Sequence, residues 1–76
     1  MDEIIKLMHL AEEYDVLIEF NSYSMIIRRY GDIEGRTYNY NTSFLPSFVE
    51  EYGVKKCLDE FEDRLNKYID YLKNKE

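Results

Sequence analysis

The segment from Val16 to Asn41, VLIEFNSYSMIIRRYGDIEGRTYNYN, constrains the fold of this chain more than any other. Side chains alternate at a period of two over residues 16–21 and again over 36–41, which is typical of strands with one buried face. Residues 23–30 are rich in β-branched and aromatic side chains, which indicates a strand between them. Asn21-Ser22 and the five-residue segment 31–35, with a glycine at each end, predict the connections. The segment therefore predicts a three-stranded antiparallel meander.

Two helical regions flank this meander and are expected to cover its apolar face, because three strands alone are not stable in water. Residues 2–14 predict an amphipathic helix, and Ile5 and Leu10 widen its apolar face enough to suggest burial on more than one side. A short helix is predicted from Thr42-Ser43 to Gly53, with Ser47 and Glu50 as a capping box. A long helix follows, with an apolar stripe formed by Val54, Cys57, Leu58, Phe61, Leu65, Tyr68, Ile69 and Leu72.

The predicted fold is a single α+β domain over residues 1–76, with the helices on one face of the sheet and the second face partly open. The chain carries 16 acidic and 10 basic residues, a net charge of −6. Residues 1–15 contribute −4, because Lys6 alone offsets five acids. This charge argues against duplex DNA and anionic membranes as partners. A single cysteine and the lack of an apolar run of ~20 residues predict a cytoplasmic protein. Disorder is expected for residues 74–76.

Motifs that carry catalytic chemistry are absent from the sequence. His9 lies on a charged helix without a visible partner, and Cys57 lies on the apolar stripe of the last helix. His9 with Glu12 and Glu13 is too common a spacing to indicate a metal site. We therefore expect no enzymatic activity, no cofactor and no bound metal.

Acidic residues are the first candidates for a partner-binding surface, since they resemble nucleic-acid phosphates to a basic partner. The candidates are Glu12, Glu13, Asp15, Glu50, Glu51, Asp59, Glu62 and Asp63. Glu12, Glu13 and Asp15 rank first because few bases lie near them in the sequence. The acids of the last helix have lysine or arginine at i,i+4 spacing, so a solvated, salt-bridged face is the alternative for them.

A second candidate surface combines arginine and tyrosine on the predicted sheet. Arg28, Tyr30 and Arg36, together with other tyrosines, have the chemistry that stacks on bases and contacts phosphates in single-stranded nucleic acids. The alternative is that Tyr38 and Tyr40 pack under the helices while the arginines pair with acids of the sheet.

The opening residues IIKLMHLAEEYDVLIEFN, followed by strands and acidic helices, resemble the anti-CRISPR proteins of bacteriophages and mobile elements in size, charge and element order. The resemblance implies an inhibitor whose acidic surface occupies the DNA-binding cleft of a larger host protein, such as a CRISPR or restriction nuclease. Two other functions stay open. One is a homo-oligomeric accessory or structural domain, joined through an uncovered sheet edge or through the apolar residues Leu17, Ile26 and Tyr30. The other is a single-strand nucleic-acid binder.

Overall fold

The computed structural model describes residues 2–74, which form two helical segments and one three-stranded sheet. In chain order the elements are α1 (Asp2–Tyr14), β1 (Leu17–Phe20), β2 (Met25–Ile33), β3 (Arg36–Phe44) and α2 (Pro46–Lys73). The sheet is antiparallel with the order β1-β2-β3. The predicted α+β meander between helices is confirmed. Of the three residues expected to be disordered, Asn74 is described at the end of α2 and the other two lie outside the described residues.

The connection between β2 and β3 is shorter than predicted. Both strands run for nine residues and meet at a two-residue turn, Glu34-Gly35, where φ is 52° and 82°. Positive φ at both central positions is what a type I′ hairpin turn requires. Gly31 lies within β2 opposite Tyr38, and a Cβ atom added to it would lie 2.6 Å from Cε2 of that ring. Gly31 therefore makes room for a cross-strand tyrosine, and the prediction of a five-residue connection was wrong.

The last strand also extends further than predicted. Thr42 pairs with Ile27 and Phe44 pairs with Met25, so all of β3 is taken up by the sheet and its end is buried. The expectation of a helix from Thr42-Ser43 was wrong because both residues pair with β2, Thr42 with Ile27 and Ser43 with Ile26. α2 begins at Pro46 instead, with Leu45 at the N-cap and no side-chain cap. The predicted capping box does not form the start of this helix.

The core lies between α2 and one face of the sheet. Cys57, Leu58, Phe61 and Leu65 have no exposed surface. They pack against Val16, which precedes β1, and against the buried inner-face side chains of β2 and β3, namely Met25, Ile27 and Phe44. The ring of Tyr40 stacks on the ring of Tyr68, with 5.0 Å between the ring centroids, and its centroid lies 5.7 Å from that of Phe61. The predicted apolar stripe of the last helix is therefore confirmed, as is the position of Tyr38 and Tyr40 beneath it.

Helix α1 contributes little to this core. Leu10, Ala11 and Tyr14 pack against the edge of the core, but no residue of α1 is fully buried. The side chains of Ile4 and Met8 are 60% and 65% exposed. The expectation that α1 is buried on more than one side was wrong, because α2 covers β2 and β3 and leaves only the edge of the core to α1.

A break at Gly53 divides α2 into a first arm, residues 46–52, and a second arm, residues 54–73. Gly53 has φ 86° and ψ 163°, a backbone conformation that only glycine adopts readily. The predicted stop at Gly53 is thus confirmed as a change of direction. The break separates the first arm, where Phe48 packs on Phe44 at the end of β3, from the second arm, which carries the buried core residues of the helix.

Replacing Gly53 by alanine is expected to lower the free energy of unfolding by about 1–3 kcal/mol. No atom lies within 4 Å of an added Cβ, so the cost comes from backbone strain and not from a clash. Urea unfolding of Gly53→Ala against the parent measures it. Lys56→Ala is the control, because this exposed position of the second arm has helical backbone. An equal stability of both variants would contradict the role of Gly53.

Candidate functional site

The C-terminus of α1 positions the three acids that the sequence ranked first. The amide of Val16 donates to the carbonyl of Ala11 at 2.9 Å, and the amide of Asp15 donates to the carbonyl of Glu12 at 3.2 Å. These two bonds and the φ of 56° at Asp15 form a Schellman motif, with aspartate where glycine is usual. The motif ends the helix and turns the chain directly into β1. It holds Glu12, Glu13 and Asp15 together at one end of the domain.

Arg29 connects this helix end to α2. Its Nε donates to the carbonyl of Asp15 at 3.1 Å, and its Nη2 donates to the carbonyl of Tyr14 and to the carboxylate of Glu62. The side chain is only 18% exposed. One guanidinium therefore satisfies two carbonyls at a helix C-terminus and a carboxylate on another helix, and its fork geometry suits that task better than a lysine would.

Tyr14 forms a second link between the two helices. Its hydroxyl donates to Oδ1 of Asp59 at 2.7 Å. This hydrogen bond, together with desolvation and the neighbouring acids, raises the pKa of Tyr14 to about 12. Because the folded pKa lies above the ordinary value of 10.0, the stabilising contribution is complete below pH 10 and is lost as the pH rises through 12. The link is intact at neutral pH.

The two links bring acids from separate parts of the sequence onto one surface. Glu13, Asp15 and Glu62 line a cleft of about 330 Å³ with Tyr14 and Arg29. We define the acidic surface as this cleft with its neighbours on both helices, namely Glu12, Glu13, Asp15, Asp59, Glu62 and Asp63. Of these, Glu13, Asp15 and Glu62 line the cleft beside the half-buried Arg29, Asp59 is joined to it through Tyr14, and Glu12 and Asp63 are sequence neighbours of the cleft residues.

The acids of this surface differ in how far they are neutralised. Glu62 is paired with Arg29, and Asp63 lies 3.6 Å from Lys67. Oε1 of Glu12 lies 3.9 Å from Nδ1 of the exposed His9. Within residues 2–74, the carboxylates of Glu13 and Asp15 have no cationic partner, although the backbone of Asp15 does. Glu13 and Asp15 at the end of α1, together with Asp59, whose partner is the neutral hydroxyl of Tyr14, are thus the acids of this surface for which the described residues show no ion pair.

Two predicted acids lie elsewhere. Glu50 and Glu51 belong to the first arm of α2, and Glu50 lines a different cleft with Phe20 and Met25. Met25 is four residues from Arg29 along β2, a distance of roughly 13 Å along a strand. Glu50 and Glu51 are therefore separate from the acidic surface.

The alternative sheet surface is only partly assembled. Arg28 and Tyr30 lie on the face of the sheet that the helices leave open, and Arg28 bonds Glu19 at 3.0 Å on the adjacent strand. Arg36 falls in step with Tyr38 and Tyr40, so strand alternation places it on the opposite, helix-covered face. The expectation that Arg28, Tyr30 and Arg36 form one surface was wrong for that reason.

Tyr14 and the bridging role of Arg29 were not predicted. A signal for Arg29 was present, because this arginine has the same phase along β2 as the core residues Met25 and Ile27. An arginine on a buried face needs an acidic or carbonyl partner. Tyr14 offered no comparable signal, since its partner lies 45 positions away.

The remaining chemical candidates lie apart from this surface. Cys57 is fully buried, and burial raises the pKa of its thiol, while the side chain of His9 is 76% exposed. In the described part of the chain, no three His, Cys, Asp or Glu side chains are grouped to hold a metal ion. No helix within residues 2–74 is both long and apolar enough to span a membrane.

Comparison of the chain with known protein families, with functionally characterised proteins and with solved structures finds no match.

Proposed function

We propose that this chain is a non-enzymatic inhibitor that binds a nucleic-acid-processing protein through the acidic surface. The partner is a larger protein of a bacterial host, of the CRISPR or restriction nuclease class, and the inhibitor is carried by a phage. Its carboxylates take the place of nucleic-acid phosphates in a basic cleft, so that it competes with DNA without binding DNA itself.

The observation that supports this proposal most is the joining of two helices by Arg29 and Tyr14. Both links are made by side chains that hold acids at fixed positions, and fixed charges lose less conformational freedom on binding than flexible ones. Glu13 and Asp15 carry their charge at the centre of this arrangement. A rigid surface of this kind suits recognition of a basic cleft better than a flexible acidic tail would.

A homo-oligomeric accessory domain is the second candidate, and one observation favours it. Leu17 and Tyr30 are 52% and 58% exposed on the open face of the sheet, and the half-buried Ile26 lies on the same face, two residues before Arg28. These apolar side chains could pack against a second copy. The single-strand nucleic-acid function has less support, because stacking needs several rings on one face and Tyr38 and Tyr40 are packed under α2.

The proposal is tested by DNA cleavage with a purified CRISPR nuclease and a purified restriction nuclease. The chain is expected to inhibit cleavage when it is added before DNA and to lose this effect when DNA is bound first. Association with the inhibited nuclease should slow as salt rises, because exposed charges are screened over ~8–10 Å at physiological ionic strength. The double variant Glu12→Lys/Glu13→Lys should associate at least about tenfold more slowly while keeping the thermal midpoint of the parent.

The matched control is Glu34→Lys/Asp70→Lys, which makes the same change in net charge away from the acidic surface. It should associate nearly as fast as the parent. Equal slowing by both double variants would show that only net charge matters and would contradict a defined acidic surface. A lack of inhibition of both nucleases would contradict the proposed partner class. Leu17→Asp should have a large effect only if the oligomer candidate is right, and sedimentation of the parent would then show a dimer.

A further inference from the structure

A separate apolar groove runs between α1 and β1, on the side of α1 that the core leaves uncovered. We call it the Phe20 groove. One wall is formed by Ile4, Leu7, Met8 and Ala11 of α1, and the floor includes Ile18 and Phe20, with a cavity volume of about 400 Å³. Phe20 also lines a second apolar cleft of about 410 Å³ beside the first arm of α2. The two clefts therefore meet at one side chain, which is 61% exposed.

The groove exists because the helical layer over the sheet is incomplete. The second arm of α2 covers the inner faces of β2 and β3, whereas the inward-facing Ile18 and Phe20 of β1 lie beside it. The hydrogen bond from Tyr14 to Asp59 joins α1 to α2 at the C-terminal end of α1. Toward the N-terminus of α1, the apolar side chains of Ile4 and Met8 are exposed. One more apolar element placed there would complete the layer.

The geometry of the α1 wall fits a helix. Ile4 with Met8, and Leu7 with Ala11, form two i,i+4 ridges of the kind that pack into the grooves of a neighbouring helix. The wall spans roughly 10 Å, or about two helical turns. Methionine at such a surface adapts to partners of different shape.

Charge decides which helix the groove would accept. The lining of the groove is uncharged, but Glu50 lines the adjoining cleft at Phe20, and the chain as a whole has a net charge of −6. A second copy of this chain would bring the same net charge against it. A helix with an apolar face and a basic polar face would instead bury its apolar face in the groove and be attracted by the net negative charge of the chain.

We infer that the Phe20 groove is a docking site for a basic amphipathic helix of the partner protein. This inference rests on the proposed function, since it names the segment through which a basic partner is held beside the acidic surface. The groove supplies apolar contact, and the net negative charge of the chain favours lysine and arginine on the exposed face of the docked helix.

The test uses two synthetic peptides of about 18 residues made only of leucine and lysine. In the first, leucines recur at helical spacing and form one apolar face. The second has the same composition in an order that forms no face. Titration calorimetry is expected to show binding of the first peptide at least about tenfold tighter than the second. Met8→Gln and Phe20→Ser should each abolish this preference, while their thermal midpoints stay near that of the parent because both side chains are exposed.

Tyr30→Ser is the control, because it removes a ring that is 58% exposed on the opposite face of the sheet. It should bind the first peptide as the parent does. Equal binding of the two peptides, or unchanged binding by both groove variants, would overturn the inference. So would sedimentation of the parent as a dimer that Met8→Gln or Phe20→Ser converts to a monomer, since a second copy would then fill the groove.

The two proposals fail in different ways. If Glu12→Lys/Glu13→Lys abolishes nuclease inhibition while Phe20→Ser inhibits as the parent does, the acidic surface stands and docking in the groove is wrong. If neither nuclease is inhibited but the face-forming peptide binds through Met8 and Phe20, the groove stands and the proposed partner class is wrong.

Discussion

Phe61→Ala is expected to lower the free energy of unfolding by about 3–5 kcal/mol, the largest effect of any single substitution considered. Phe61 is fully buried and contacts the ring of Tyr40 at 5.7 Å, so truncation removes apolar burial and leaves a cavity under α2. A domain of this size has a total stability of roughly 5–10 kcal/mol. Thermal unfolding followed by circular dichroism should therefore show a much lower midpoint. Leu65→Ala should cost about 2–5 kcal/mol for the same reason.

Phe20→Ala is the matched control for Phe61→Ala. The chemical change is the same, but Phe20 is 61% exposed at the rim of the groove. Its effect on stability should be below about 1 kcal/mol, since little buried surface is lost. If the two variants unfolded at the same temperature, the core would not lie between α2 and the sheet as described.

Arg29→Met is expected to lower the free energy of unfolding by roughly 2–4 kcal/mol. Methionine keeps most of the apolar stem but removes the donors that bind Glu62 and the carbonyls of Tyr14 and Asp15. The loss is smaller than for a fully buried ion pair because the side chain of Glu62 is still 31% exposed. Chemical denaturation measures the change. The end of α1 should also exchange its amide hydrogens faster, because Arg29 ties it to the sheet.

Arg28→Met is the control, because Arg28, the residue before Arg29, makes its ion pair with Glu19 on the open face of the sheet. Exposed pairs of this kind contribute about 0–1 kcal/mol, so the variant should be nearly as stable as the parent. Equal destabilisation by Arg28→Met and Arg29→Met would mean that Arg29 is not a special link. A selective loss at Arg29, with slower association of the partner, would connect the fold directly to the acidic surface.

Local pattern was enough to determine most of the fold. Periods of 2 and 3.6 residues depend only on neighbours along the chain. They indicated the bounds of α1, the presence of three strands, the two faces of β2 and the buried stripe of α2. The break at Gly53 follows from the properties of glycine alone. Clustering of Glu12, Glu13 and Asp15 is also local, since they are close in sequence whatever the rest of the chain does.

Pairing across the sheet determined what local pattern left undecided. Gly31 suggested a turn, but it lies in a strand, paired with Tyr38. Glycine is needed there because the Tyr38 ring occupies the space that a Cβ atom would fill. Thr42-Ser43 suggested a helix start, but register with β2 keeps these residues in β3.

Contacts between distant residues determined the candidate sites. Glu62 joins the acids of α1 only because Arg29 bridges them, and Asp59 does so only through Tyr14. The exposed apolar side of α1 likewise depends on where α2 packs, since an amphipathic pattern records that a face is apolar but not what covers it. The sequence by itself thus determined the elements and their faces. The tertiary structure decided which faces meet, because those contacts join residues 33 and 45 positions apart, beyond the range of any local preference.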